Sequence, residues 1–134
     1  MVKQFFMRYR FGTGTTWEDK VGYSRAIRHG KHVEVAGTVA VDGNGNLVGE
    51  GDMYAQAVFI LQKIERALHE AGASLKDVVR TRTYVTDIGR WEEFAKAHNE
   101  FFDSVRPVAT LVEVSKLIDP RMLIEIEVSA MMDI

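Results

Sequence analysis

Glu125 sits in the run LIEIEVSAM, where carboxylates at 125 and 127 alternate with Ile124, Ile126 and Val128. A carboxylate held among apolar neighbours resists ionisation, so it can hold a proton or relay it to water. The stretch RPVATLVEVSKL, residues 106–117, supplies such neighbours. Its alternation sets Ala109 and Leu111 on the face that Glu125 is expected to share. Arg80 and Arg82, from VVRTRTYVT, are expected on that face as well. They open a second reading, in which Glu125 is an ion-pair partner across the sheet.

Other chemistry has less support. The chain has no cysteine, which excludes a disulfide framework and a thiolate nucleophile. No serine stands in a Gly-x-Ser-x-Gly turn. His29, His32, His69 and His98 form no i, i+4 pair, so no metal site is expected. VDGNGNLVGEGD opens like a calcium loop at Asp42, Asn44 and Asn46, then places Leu47 and Met53 where glycine and glutamate are required. A turn after a strand is the expectation there. GTGTT, residues 12–16, lacks the third glycine and the lysine of a phosphate loop.

A net charge of −2 provides no broad basic face, which argues against a nucleic-acid partner. No window approaches the roughly 18 apolar residues of a membrane span. Arginines interrupt the early apolar run MVKQFFMRYRFG, unlike a secretory leader. The expectation is one cytoplasmic domain, residues 1–134, with no membrane partner.

Two helices and a set of strands must position these groups. Met53, Ala57, Ile60, Leu61, Ile64 and Leu68 form a helical stripe, with Asp52 as N-cap and Gly72 as the stop. Trp91, Phe94, Ala95, His98, Phe101 and Phe102 form another. YSRAIR, HVEVAGTVAV, VVRTRTYVT, the 108–114 stretch and LIEIEVSAM read as strands. Both helices are expected on the β-branched face of one sheet. The other face then collects Glu34, Ala36, Ala40, Arg80, Arg82, Tyr84, Ala109, Leu111, Glu113, Glu125 and Glu127, and reads as a partly buried subunit interface with a pocket in it.

GYSRAIRHGKHVEVAGTVAVD, VVRTRTYVTDI and RPVATLVEVSKLIDPRMLIEIEVSA together resemble the RidA (YjgF) family, most clearly over residues 17–131. The resemblance implies an α+β, chorismate-mutase-like fold: a mixed sheet with two helices on one face, assembled as a homotrimer. It implies small-metabolite clefts between subunits and cofactor-free hydrolysis of enamines or imines. Residue by residue, Glu125 matches the glutamate associated with water, Tyr23 the pocket tyrosine and Gly37 the pocket glycine. Ala36 stands where the family has serine, and Leu111 where it has cysteine. Ala109 replaces the arginine that grips the substrate carboxylate, leaving Arg25 or Arg82 to anchor it from another angle. Ordinary 2-aminoacrylate deamination is therefore placed in doubt. The alternatives are a non-catalytic ligand-binding or regulatory trimer and, behind it, the endoribonuclease activity also attached to the family.

Overall fold

The computed structural model describes residues 7–133. Six strands form one sheet in the order β1-β2-β3-β6-β4-β5. They are β1 (Arg8–Phe11), β2 (Ala26–His29), β3 (His32–Thr38), β4 (Val78–Val85), β5 (Val108–Glu113) and β6 (Ile124–Met131). Every pairing is antiparallel except β4 with β5, which is parallel. The helices are α1 (Thr16–Val21), α2 (Met53–Glu70) and α3 (Trp91–Phe102). The expected mixed sheet with two long helices is present. β1 and the short α1 are additions that the sequence patterns did not signal.

α2 begins where the Asp52 carboxylate accepts a bond from the Ala55 amide, satisfying a donor that helix geometry leaves unpaired. It ends before Gly72, whose φ of 87° suits a residue without a Cβ. The six apolar residues of its expected stripe are fully buried. They pack on the sheet face that carries Val33, Val35, Thr81, Thr83, Val85, Ile126 and Val128. In α3 the buried residues are Phe94, Ala97 and Phe102, whereas Trp91 is exposed. The stripe therefore lies further round the helix than the aromatic residues suggest. His98 is partly buried between Phe94 and Phe102, its Nε2 2.9 Å from the Thr81 hydroxyl.

Two bulges alter the expected strand parity. Val35 pairs with Val128 and Thr38 with Ile126, so Ala36 and Gly37 together stand opposite Glu127. The extra residue reverses the alternation beyond it. Ala40, expected on the second face, is instead fully buried in the core, and Thr38 is buried with it. A second irregularity, between Val78 and Arg80, turns Val79 outward and Val78 inward.

The expectation for β5 is also corrected. Its parallel register pairs Ala109 with Thr81 and Leu111 with Thr83, both core-facing, and partners in register point to the same side. Leu111 accordingly packs against the core. Thr110 lies on the other face, where it accepts a long bond from Arg80 at 3.5 Å. Ala109 and Leu111 thus occupy the opposite face from Glu125, because alternation alone cannot say which set faces inward. Among the described residues no helix is long and apolar enough to cross a membrane.

Candidate functional site

The bulge in β3 matters for chemistry because it brings backbone beneath Glu125. β6 carries Glu125 on the face away from α2 and α3, in register with Tyr84. Its carboxylate lies over Gly37, where a Cβ would collide with Oε2. Only glycine permits this approach. No hydrogen bond reaches the carboxylate from the described residues. Burial raises the Glu125 pKa above the ordinary carboxylate value; Arg25 opposes the rise and Glu127 adds to it.

Glu125 borders a largely apolar cavity of about 300 Å³. α1 and its flanks supply Trp17, Glu18, Val21 and Tyr23; the end of β3 and its continuation supply Gly37, Val39 and Val41; α2 supplies Lys63. Arg25, just before β2, also lines it. The Arg25 guanidinium is held by its partners: Nη1 donates to the Gly37 carbonyl at 3.1 Å and to the Thr38 hydroxyl at 2.9 Å. Nε lies 4.0 Å from Glu18, and Nη2 makes a long contact of 3.5 Å to the Tyr23 hydroxyl. Glu18 is buried and accepts from the Thr13 amide and hydroxyl at 3.0 and 2.6 Å. Burial pushes its pKa up, but these bonds and Arg25 outweigh that and hold it below the usual value.

The structure therefore brings Tyr23, Gly37 and Glu125 to one cavity. Ala36, Arg82, Ala109 and Leu111 do not line it. Ala36 borders a separate shallow groove with Ser24 and Glu34. Arg82 pairs with Glu127 at 3.5 Å, and Glu127 also accepts from the Tyr84 hydroxyl at 2.7 Å. The ion pair considered for Glu125 is made by Glu127 instead. Lys63 and Glu18 are cavity residues that the sequence reading missed. Lys63 reads as an ordinary polar neighbour of Ile64, and nothing in its spacing marks a cavity. Among the described residues no group of three or more His, Asp or Glu side chains converges to hold a metal ion. The Asp42 segment is a turn, its carboxylate accepting from the Asn44 and Asn46 amides at 2.9 Å each.

A family model described as Endoribonuclease L-PSP matches residues 15–132. The chain belongs to this family, the RidA/YjgF family. The crystal structure of Rv2704 from Mycobacterium tuberculosis, a member of the YjgF/YER057c/UK114 family, is 46% identical, with a TM-score of 0.86 over 94% of this chain and all of that one. An uncharacterized Streptomyces coelicolor protein, SCO2049, is 40% identical over 90% of both chains. The 3-aminoacrylate deaminase RutC of Acinetobacter baylyi is 34% identical, covering 78% of this chain and 82% of its own. The RidA/YjgF assignment accounts for the α+β fold.

Proposed function

We propose that this protein hydrolyses a small enamine or imine at the Glu125 cavity, giving a carbonyl compound and ammonia. The observation that carries the reading is Glu125 itself: a half-buried carboxylate without a hydrogen-bond partner among the described residues, with a raised pKa, facing a mostly apolar cavity. A carboxylate closer to neutrality exchanges protons with water in both directions. As base, it takes a proton from the water that adds to the C=N carbon. As acid, it returns that proton to nitrogen, giving a carbinolamine. The carbinolamine hydroxyl then gives its proton to the amine as the C–N bond breaks and C=O forms, so one water is consumed and one ammonia leaves. An enamine reacts as its imine tautomer. No cofactor enters the balance. The relative named 3-aminoacrylate deaminase supports an enamine or imine substrate class.

We further propose a homotrimer, with each cavity completed by a neighbouring subunit. Ala109 is exposed on the β5 edge strand, where a second subunit can meet it. Because this position lacks arginine, β5 cannot supply the grip on the carboxylate of 2-aminoacrylate. One observation favours a second reading, a binding module without turnover: Arg25 Nη1 is taken by the Gly37 carbonyl and the Thr38 hydroxyl, so a two-pronged grip through both Nη atoms is not open to a substrate.

The deciding experiment measures ammonia release from 2-aminoacrylate, 3-aminoacrylate and other imino acids by the wild type and Glu125→Gln. Turnover that disappears in a folded Glu125→Gln protein supports hydrolysis. Wild-type turnover that survives the substitution removes Glu125 from the reaction. A wild type that turns over none of them leaves the binding module as the better reading.

A further inference from the structure

Lys63 is a cavity group that the proposed reaction does not use. It projects from α2 to the point where the chain leaves the sheet beyond the β3 bulge, exposing backbone carbonyls. Its Nζ donates to the Val41 carbonyl at 2.9 Å and the Val39 carbonyl at 3.3 Å. An ammonium has three donors. Two are thus engaged, and no carboxylate among the described residues lies within ion-pair distance of Nζ to take the third. The charged groups around it are Arg25, Arg66 on its own helix, Asp42 and Glu18. Both acids act on Nζ only from beyond ion-pair distance and neither hydrogen-bonds it: Asp42 Oδ1 accepts from its turn amides, and Glu18 is bonded to Thr13 beside Arg25, although each favours the charged lysine.

A half-buried cation beside an apolar cavity is costly unless an anion joins it. We propose that Lys63 anchors the anionic end of the ligand, its third N–H donating to a carboxylate that enters the Glu125 cavity. This rests on the reading that the cavity is the functional site. It identifies the ligand as a small carboxylate whose reacting carbon faces Glu125, and it moves the anchoring cation from the β5 position, now Ala109, to α2. Burial, with Arg25 and Arg66, lowers the Lys63 pKa to about 8, so the anchor is mostly charged at pH 7 and is lost above that value.

The test is an NMR titration of labelled protein with pyruvate and with its neutral amide, pyruvamide. Wild type, Lys63→Met, Lys63→Arg and Glu125→Gln are compared, with melting temperatures recorded for each. In the wild type, pyruvate should shift the Gly37 amide and bind about tenfold more tightly than pyruvamide, the scale of one charge-assisted hydrogen bond. Lys63→Met should lose that preference while binding pyruvamide unchanged. Pyruvate affinity should fall between pH 7 and 9.5 in the wild type but not in Lys63→Arg, a readout that does not need the methionine variant to fold. Equal binding of both probes by the wild type, no shift at the cavity, or a preference that persists in Lys63→Met would overturn the proposal. Glu125→Gln should keep the preference. Loss of turnover with binding retained, or binding retained without any turnover, therefore bears on the hydrolase reading and not on the anchor.

Discussion

The Glu125 carboxylate lies against Gly37, with Oε2 in the space a Cβ would fill. Gly37 is not among the residues with positive φ, so glycine is required here by close approach and not by backbone conformation. The bulge makes the approach possible, because two residues of β3 share one partner on β6.

Gly37→Ala should therefore separate function from stability. The colliding atom is the tip of a flexible side chain, which can swing aside at a cost of about 1 kcal/mol or less. The variant should melt within a few degrees of the wild type and still lose most of its turnover, because the carboxylate no longer sits over the cavity floor. A fully active Gly37→Ala protein would show that the position of Glu125 is not critical.

His98 gives a prediction about acid stability. Burial lowers its pKa below 6.5, so the folded protein keeps the ring neutral after the unfolded chain has begun to protonate. Stability should fall as pH drops from about 6.5 toward 5. His98→Asn, which breaks the ring packing and should cost about 1–3 kcal/mol at pH 7, should show a shallower fall over the same interval. Chemical denaturation of both proteins at several pH values measures the difference. Parallel curves would assign the acid sensitivity to other groups.

The two long helices were legible in the sequence because each has a 3.6-residue apolar period, which names the buried face outright for Met53 through Leu68 and only roughly for α3, where exposed Trp91 joins the stripe. The catalytic candidate was legible too, since Glu125 alternates with Ile124 and Ile126 whatever strands flank it. Strand faces were harder to read. The bulge at Ala36–Gly37 inserts one residue, and its one mark is Gly37 inside a strand run; strict alternation passes over that mark, so Ala40 read as outward-facing when it is in the core. The 108–114 stretch is apolar on both parities, and only its parallel register with β4 decides that Leu111 turns inward. Lys63 could not be read as a cavity residue because its position depends on where β3 leaves the sheet, a tertiary fact.

Assembly is tested through β5. Val108 and Val112 are 58% and 41% exposed on the face that also carries Arg80 and Tyr84. Apolar side chains exposed together on an edge strand invite a partner. Light scattering should give about 45 kDa, three copies of the 15.1 kDa chain. Val112→Asp should shift the population toward monomer. A wild type that is monomeric at micromolar concentration would end the shared-cavity reading.

The last prediction uses the pKa of Glu125 to separate its two possible roles. Burial raises the folded-state value above 4.5, with Arg25 pulling it back and Glu127 reinforcing the rise. An acid whose pKa is raised on folding stabilises the protein fully below its unfolded pKa, and that contribution disappears as pH rises through the folded value. At pH 7 the ionised carboxylate is therefore a burden to the fold. Glu125→Gln, which keeps the shape and removes the charge, should melt at the same temperature as the wild type or higher at pH 7. The wild type should recover relative stability as pH falls toward 4.5. An ion-pair partner would behave in the opposite way: its pKa would be lowered, and the glutamine variant would be the less stable protein at pH 7. Melting curves of the two proteins from pH 4.5 to 7.5, run beside the ammonia assay, distinguish these cases. A glutamine variant that is less stable at pH 7 would return Glu125 to a structural role.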